Sequence, residues 1–367
     1  MTAQKEEILL EVENLKKQIE TSDSPPELKE RVLESCQGLE RMAGQGIYPQ
    51  HLELVRHYID WIVNLPWQKR SDDILDLKRA RKILDQNHYG LEPIKERILE
   101  YMAVLKLKKE APASARAVGG VTAGEEGIMK FMRAPMLFFV GLVGTGKTTI
   151  AYSIAEAMGR KFERVPFGGI GDPLYLRGQA RAHAGAEPGQ IIKALRRAGT
   201  RNPVILLDEI DRVVEESRAT IMGVLLELLD PEQNMAFRDH FLDAPFNLSE
   251  VLFIATANNT NNIATAVLDR LEPIRMPSYT DEEKITIGKN YVLPRMMKES
   301  GLPEGTLKIE ETVWPKIVRP LGYDAGVRTL QRTINGICRK VAKMIVEGKG
   351  RQFNLTETNI KDFLPTW

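Results

Sequence analysis

The strongest constraint on the fold is the segment Leu137–Thr149, in which a strongly apolar run changes abruptly into glycines. Apolar residues then return at helical spacing, at Ile150, Ile154 and Met158. Residues 141–148 match the phosphate-binding pattern G-x-x-x-x-G-K-S/T. A strand, this loop and a helix in that order predict a P-loop that binds nucleotide. The alternative is a glycine-rich turn that binds nothing.

Each residue type in this loop has a chemical reason. Glycines let successive backbone N–H groups turn inward around phosphate oxygens, and the helix beginning near Lys147 adds its positive dipole end. We expect Lys147 to reach the β- and γ-phosphates of ATP and the Thr148 hydroxyl to ligate Mg²⁺. The residues predicted to bind nucleotide here are Gly141, Leu142, Val143, Gly144, Thr145, Gly146, Lys147, Thr148 and Thr149.

Further apolar runs have the form of buried parallel strands. Residues 203–209 and 251–258 are continuously apolar and end in polar residues, and residues 162–167 form another strand-like run. Helical patterns separate these runs, which predicts a doubly wound α/β sheet. Because the carboxyl ends of parallel strands meet at one edge, we expect their polar residues to lie together there.

The polar residues at this edge suit ATP hydrolysis. Asp208 is placed to hold Mg²⁺ through water, and Glu209 to orient or deprotonate the attacking water. The alternative for this pair is a helix N-cap with its flanking acid. Asn258 would be a polar sensor near the γ-phosphate or a simple turn residue. Arg270 and Arg328 would each stabilise transition-state charge, or else be surface arginines.

The flanking regions are predicted to be helical. We divide the chain into a helical region (1–86), a large α/β unit (87–278) and a small helical unit (279–367). Periodicity alone leaves the first region open as a coiled arm, a docking platform or simple packing. Small residues dominate 111–128, which predicts a mobile loop.

Composition excludes several classes of function. Lys and Arg (51) nearly balance Asp and Glu (50), so charge indicates no nucleic-acid partner. We expect the basic cluster Lys193, Arg196, Arg197 and Arg201 to form a solvated helix face. Two distant cysteines argue against a disulfide framework. No signal peptide or membrane-spanning run is recognisable, so we expect a cytoplasmic protein, with the mitochondrial matrix also compatible.

Several motifs together resemble the Lon protease family of AAA+ enzymes. They cover nearly all of the chain and comprise residues 65–67, 88–92, 141–149, 202–211, 226–234, 241–249 and 325–328. The resemblance implies an AAA+ P-loop ATPase, preceded by a helical region and followed by a small α-helical subdomain. It also implies a ring, with a homo-hexamer as the expected form, that drives unfolded polypeptide towards a peptidase domain.

The resemblance also assigns roles to individual residues. Lys147 and Thr148 match Walker A, and Asp208 and Glu209 match Walker B. Further matches are Asn258 with sensor 1, Arg270 with the arginine finger, Arg328 with sensor 2, and His88 and Tyr89 with the adenine pocket. Ordinary packing at a domain junction is the alternative for His88 and Tyr89.

The chain departs from the family pattern in three places. Leu142 and Val143 replace two prolines of the P-loop, with little expected effect because the phosphate contacts come from the backbone. At the pore loop the family has an aromatic and then an aliphatic residue, whereas this chain has His183 and Ala184. These side chains offer less apolar area, so we expect a weak grip on polypeptide, with Tyr175 as the next candidate.

The third departure concerns the peptidase domain. No Ser–Lys pair lies in a context resembling the family's peptidase motif, so we expect no peptide hydrolysis from these residues. The function predicted is therefore that of an ATPase module whose peptidase domain would belong to a longer parent chain. The alternatives are a nucleotide-holding scaffold and a free-standing remodelling ATPase without a peptidase partner.

Overall fold

The apolar runs of the sequence form the strands at the centre of this computed structural model, which describes residues 2–44, 52–110, 136–319 and 324–364. The segment 111–128, predicted to be a loop, lies outside these residues. The strands are β1 (Met136–Val140), β2 (Phe162–Pro166), β3 (Val204–Asp208), β4 (Phe237–Asp239), β5 (Ala244–Phe246), β6 (Leu252–Ala257), β7 (Leu271–Arg275), β8 (Leu307–Ile309) and β9 (Phe353–Leu355).

Five of these strands make one parallel sheet in the order β2-β3-β6-β1-β7. β3 and β6 are buried along their whole length, as continuous apolar strands covered on both faces must be. The register places Phe139 opposite Thr256 and Leu207 opposite Ala255, which brings the carboxyl ends of β1, β3 and β6 together. The predicted doubly wound α/β fold is confirmed.

The helices agree closely with the predicted periodicities. They are α1 (Thr2–Thr21), α2 (Pro26–Gly44), α3 (Leu52–Asn64), α4 (Leu77–Asn87), α5 (Glu92–Glu110), α6 (Lys147–Met158), α7 (Leu174–Arg177), α8 (Gln190–Ala198), α9 (Arg218–Leu229), α10 (Thr265–Leu268), α11 (Asp281–Ile287), α12 (Leu293–Glu299), α13 (Trp314–Val318), α14 (Arg328–Val346) and α15 (Ile360–Phe363). Within the described ranges no helix is both long and apolar enough to cross a membrane.

Helix α4 packs against the helix that follows the P-loop. Asp76 caps it by accepting the backbone N–H groups of Lys78 (2.8 Å) and Arg79 (3.2 Å). Its buried residues Ala80 and Leu84 share a core with α6 and one face of the sheet. Because α4 belongs to this core, we propose that the α/β unit begins before residue 77 and not at residue 87.

The first three helices cover the opposite face of the sheet. Their apolar residues join the core formed by α8, α9 and the hairpin β4–β5. The Tyr58 hydroxyl donates to the Leu242 carbonyl (2.8 Å), and the Trp67 and Phe246 rings lie 4.9 Å apart. Of the alternatives for this region, packing onto the α/β unit is what the described residues show.

The basic cluster on and just after α8 is only partly the solvated face that we expected. Arg197 is exposed, but all four cations lie beside acidic residues, and Arg201, just after the helix, is buried. The pairs are Lys193 with Glu187, Arg196 with Asp60, Arg197 with Glu163 and Arg201 with Glu250.

The small helical unit has a core of its own around Trp314, which is 2% exposed. Thr280 and Glu283 form a capping box at the start of α11, which fixes where this unit begins to be helical. The parallel pair β8–β9 and the helices α12 to α15 complete it. Its loop before α14 reaches the P-loop, where the Val327 N–H donates to the Gly144 carbonyl (3.0 Å).

Candidate nucleotide site

The P-loop backbone turns through two glycines with left-handed dihedral angles. Gly144 has φ +84° and Gly146 has φ +98°, values that other residues adopt only with strain. Gly326 of the small unit packs directly on this turn: a Cβ atom on Gly326 would lie 2.5 Å from the Gly144 carbonyl carbon. The loop thus has the conformation of a phosphate cradle. At Gly326 the backbone of the small unit packs directly against the backbone of Gly144.

Lys147 is held at the centre of the loop. Its ammonium donates to the carbonyls of Gly141 (2.6 Å) and Leu142 (3.0 Å) and to Asn258 Oδ1 (3.1 Å). The residue is 7% exposed. Burial lowers the pKa of its ammonium, while the carboxylates of Asp208, Asp211 and Glu209 oppose that shift. Lys147 therefore links the P-loop to the end of β6, where Asn258 follows the strand.

The Asp208 carboxylate, 4% exposed, ends β3 beside the loop. Thr256 donates its hydroxyl to Oδ1, and Arg164 on β2 donates its Nε to Oδ2 (2.7 Å). The Thr256 oxygen also accepts the Glu209 N–H (2.9 Å). One hydroxyl therefore fixes both acids of the predicted Walker B pair.

Glu209 itself has a strained backbone, with φ +59° and ψ +49°. Non-glycine residues occupy this left-handed region rarely and at a cost of about 1–3 kcal/mol, usually at functional sites. The turn directs the side chain towards Gly168, where a Cβ would lie 3.2 Å from Glu209 Oε2. Arg212 lies 3.6 Å from the other carboxylate oxygen.

Asn258 is oriented by a third acid. The buried Asp211 carboxylate accepts the backbone N–H groups of Asn258 (3.1 Å) and Asn259 (3.4 Å). The Asn258 side chain accepts from Lys147 through Oδ1, while its buried Nδ2 has no hydrogen-bond partner among the described residues. A buried amide without an acceptor is costly, and a phosphate oxygen or water bound beside Lys147 would supply one.

A cavity of about 280 Å³ collects these side chains at the carboxyl edge of the sheet. Predicted and unpredicted residues line it: Val143, Gly144, Gly146, Lys147, Thr148, Thr149, Arg164, Asp208, Glu209, Asn258, Val327, Arg328 and Gln331. Glycine N–H groups, a lysine and an arginine suit triphosphate oxygens, while the Thr148 hydroxyl and the Asp208 carboxylate suit Mg²⁺. The residues present therefore fit both ATP and Mg²⁺.

His88 and Tyr89 do not line this cavity themselves, although His88 contacts the backbone of Thr149, which does. His88 is buried, and its Nε2 lies 2.9 Å from the Ser153 hydroxyl on α6. Burial and the nearby Lys95 lower the pKa of His88 to about 4, so its ring is neutral at pH 7. Tyr89 meets the small unit, with its ring 6.4 Å from that of Tyr291. Both stand at the junction between the two units, and their role in the adenine pocket stays a prediction.

Arg270 lies outside the cavity and is anchored by groups of the same chain. It donates to Asp230 Oδ2 (3.0 Å) and to the Ala266 carbonyl (3.0 Å). Burial by itself would raise the pKa of Asp230, but hydrogen bonds from Arg270 and from two backbone N–H groups outweigh it, so the pKa is lowered. The guanidinium is partly exposed, at 36%.

The predicted pore-loop residues His183 and Ala184 lie in the loop 179–188, which is exposed at its tip and held at its base. His183 and Ala184 are exposed, whereas Tyr175 is half-buried against the core on α7. At the base the Gln179 N–H donates to the Glu187 carbonyl (3.0 Å). Gly178 and Gly189 also approach closely there, since a Cβ on Gly178 would lie 2.7 Å from the Gly189 nitrogen.

Asp239 on the hairpin holds that base. It is fully buried and accepts backbone N–H groups from Gly189 (2.7 Å), Phe241 (2.8 Å) and Leu242 (3.1 Å). Burial raises the pKa of this carboxyl to about 6, although the three N–H donors oppose the shift. The conformation of the loop base therefore depends on a buried acid, and the exposed tip does not.

Sequence reasoning missed five residues in or beside the nucleotide site: Arg164, Asp211, Thr256, Val327 and Gln331. Arg164 is a charged residue inside a strand, and Thr256 is a hydroxyl in an otherwise apolar strand, so both patterns carried a signal. Asp211 follows the two Walker B acids by two residues. Gln331 gives no comparable signal, because its place follows from the way the small unit packs.

Comparison with known families agrees with this geometry. Residues 137–278 match the ATPase family associated with various cellular activities (AAA), and residues 298–353 match the Lon protease AAA+ ATPase lid domain. Both matches fall on the units that build the cavity. The chain therefore contains a nucleotide-binding AAA domain with its lid.

Curated relatives extend the match to nearly the whole chain. Lon protease 2 of Thermus thermophilus is 44% identical over 356 residues, which is 96% of this chain and 42% of the relative. Lon protease of Geobacter metallireducens is 42% identical and Lon protease 1 of Bacillus subtilis 41%, each over 96% of this chain. The chain spans about 40% of the length of these relatives. With an AAA domain followed by a Lon-type lid domain, the chain corresponds to the AAA+ ATPase module of the Lon protease family.

Proposed function

We propose that this chain hydrolyses Mg²⁺-ATP in a homo-hexameric ring and uses the energy to move unfolded polypeptide towards a peptidase domain. One observation supports hydrolysis best: a single cavity is lined by Lys147, Asp208, Glu209 and Asn258. The Nδ2 group of Asn258 there has no hydrogen-bond partner among the described residues. A scaffold that only holds nucleotide has no need of a complete hydrolytic set. The cytoplasm stays the predicted compartment.

The chain's own residues divide the chemistry between them. Backbone N–H groups of the P-loop and the Lys147 ammonium bind the β- and γ-phosphates. Thr148 and Asp208 would hold Mg²⁺, which neutralises charge on those phosphates. Glu209 orients the attacking water and accepts its proton as the bond from water to the γ-phosphorus forms, while the bond from that phosphorus to the β–γ bridging oxygen breaks and ADP leaves.

Two further residues complete the proposed site. Asn258, fixed by Asp211 and Lys147, hydrogen-bonds the γ-phosphate or the attacking water. Arg328 contacts the phosphates from the small unit of the same subunit, since it lines the cavity at the start of α14. Any closure of the small unit is thereby coupled to the nucleotide.

Arg270 is proposed to act on the nucleotide of a neighbouring subunit. Its position outside its own cavity, anchored by Asp230 and partly exposed, supports a role across a subunit boundary. Hydrolysis then requires assembly, because each site lacks one positive charge until a neighbour supplies it.

ATP turnover tests this proposal when it is measured over a range of protein concentrations. The rate per chain should rise steeply with concentration as rings form. Arg270→Ala should bind ATP but turn it over slowly, and mixing it with Glu209→Gln should restore activity at composite sites. Each variant alone at the same total concentration is the control. A rate per chain that is constant at all dilutions, with no gain on mixing, contradicts the proposal.

A further inference from the structure

A cleft of about 460 Å³ opens between the loop 179–188 and the hairpin β4–β5. Charged side chains dominate its lining, namely Arg177, Arg181, Arg238, Asp239 and Asp243, and His240 with two alanines completes it. The exposed His183 lies on the same loop. None of these groups belongs to the nucleotide site, so the cleft needs a separate explanation.

Both acids of this cleft already have partners. Asp239 is buried and accepts three backbone N–H groups. Asp243 accepts from Arg31, with 3.2 Å between Oδ2 and the guanidinium. Among the cations only Arg177 has a carboxylate partner, Glu227. Across the described ranges no carboxylate pairs with Arg181 or Arg238, so the cleft has an excess of positive charge.

Arg181 is held in place without losing its charge. Its guanidinium carbon lies 3.8 Å from the centre of the Tyr58 ring, a cation–π contact. Tyr58 is buried and its hydroxyl donates to Leu242, so the ring is a fixed support. A pre-positioned guanidinium loses little entropy when it binds a carboxylate, and its planar fork can bind both oxygens.

We propose that this cleft binds acidic segments of unfolded polypeptide, with Arg181 and Arg238 as the charge-recognising residues. The inference rests on the proposed function, since it names the class of chain that the loop contacts. His183 and Ala184 offer little apolar area, so charge supplies the attraction that an aromatic–aliphatic pair would otherwise provide. Among the rings at the cleft, Tyr58 is covered by Arg181, which leaves the small His240 imidazole for base stacking, so a polypeptide is favoured over single-stranded nucleic acid.

Direct binding of labelled peptides to the full chain tests the inference. The probes are unstructured peptides of about 20 residues: one rich in Asp and Glu, one with Asn and Gln at the same positions, and one with Lys. Fluorescence anisotropy at low salt should show the acidic peptide binding at least about tenfold more tightly than the amide peptide, and about 0.5 M NaCl should abolish the difference.

Variants then locate the charge. Arg238→Gln, an exposed site, should weaken acidic-peptide binding about threefold to tenfold, and Arg181→Gln with Arg238→Gln by more, because each pair is worth about 1 kcal/mol. Arg181→Lys with Arg238→Lys should retain most of the affinity. The matched control, Arg295→Gln with Lys316→Gln, removes two exposed charges from the small unit and should change nothing.

Three outcomes overturn the inference: equal affinity for acidic and amide peptides, unchanged affinity in Arg238→Gln and in the double variant, or tighter binding of a single-stranded oligonucleotide. ATP turnover of the unaltered chain is measured alongside. A chain that binds acidic peptide without turnover contradicts only the proposed function. A chain that turns over ATP but ignores charge in the peptide contradicts only this inference.

Discussion

At the carboxyl edge of the sheet the side chains of Lys147, Asp208 and Asn258 are held by hydrogen bonds, whereas in the loop 179–188 only the base is held. Thr256 fixes Asp208 and Glu209 together, and Asp211 fixes the backbone of Asn258. The pore loop is tied through Asp239, but His183 and Ala184 at its tip are exposed. A change in the first region disturbs several buried partners, while a change at the tip disturbs none.

This difference explains where the chain keeps the Lon pattern and where it departs from it. The P-loop and Walker B residues form one buried network in which single substitutions leave polar groups without partners. The tip of the pore loop can exchange an aromatic residue for His183 at no cost in folding. The base, by contrast, requires Gly178 and Gly189, because their backbones lie too close for a side chain, and Asp239, because it accepts the Gly189 N–H.

The largest effect should come from removing the charge at the centre of the nucleotide site. Lys147→Ala should weaken ATP binding by about 10- to 150-fold, since hydrogen bonds to a charged group contribute about 1.5–3 kcal/mol. Titration with a fluorescent ATP analogue measures this. Lys193→Ala, an ion-paired lysine on α8, is the control and should bind normally. Unchanged ATP affinity in Lys147→Ala would show that this buried lysine does not hold the nucleotide.

Arg164 should matter next, because it holds one oxygen of Asp208. Arg164→Gln should slow ATP turnover about tenfold and raise the Mg²⁺ concentration needed, whereas Arg164→Lys should be intermediate. Arg197→Gln is a matched control, since Arg197 is similarly exposed and pairs with Glu163 on the same strand, away from the cavity. Equal Mg²⁺ titration curves for Arg164→Gln and Arg197→Gln would remove Arg164 from the site.

A pH-dependent effect should appear at the base of the pore loop. The folded-state pKa of Asp239 is raised to about 6, so the folded protein prefers the protonated acid, and the stability this gives is lost as pH rises through 6. Asp239→Asn lacks that titration. From about pH 5 to about pH 7.5 the free energy of unfolding should fall by about 1 kcal/mol more in the wild type than in Asp239→Asn. Urea denaturation measures both, and parallel pH profiles would contradict the assignment.

The smallest effect is expected at the exposed tip. A neutral unfolded protein should stimulate the wild-type ATPase weakly, and His183→Tyr should increase the stimulation about two- to threefold through added apolar contact. His183→Ala should stay at the wild-type level. Strong stimulation of the wild type that His183→Tyr leaves unchanged would place the grip elsewhere, with Tyr175 the next residue to substitute.

Much of this architecture could be read from local pattern. The run 203–209 predicted β3, because a continuous apolar run that ends in acids is typical of a buried parallel strand. The P-loop, Walker B pair and Asn258 followed from motifs with a defined chemistry. These features depend on neighbours in the sequence.

What the pattern missed depends on distant neighbours. Arg164 pairs with an acid 44 residues away, and Arg31 pairs with Asp243 across 212 residues. The basic residues of α8 looked like a solvated face because α3, which supplies Asp60, is far away in sequence. Such pairings follow from tertiary packing, which composition and periodicity do not encode.

The measurement that tests the account most directly compares binding with turnover in Glu209→Gln. Glu209 is the proposed base, and Lys147 and the P-loop backbone hold the nucleotide, so the variant should bind ATP within about threefold of wild type. Its turnover should fall by about 100-fold or more, the usual effect of removing a general base. Wild-type turnover in Glu209→Gln would contradict the account, because it would show that hydrolysis does not use Glu209 as its base.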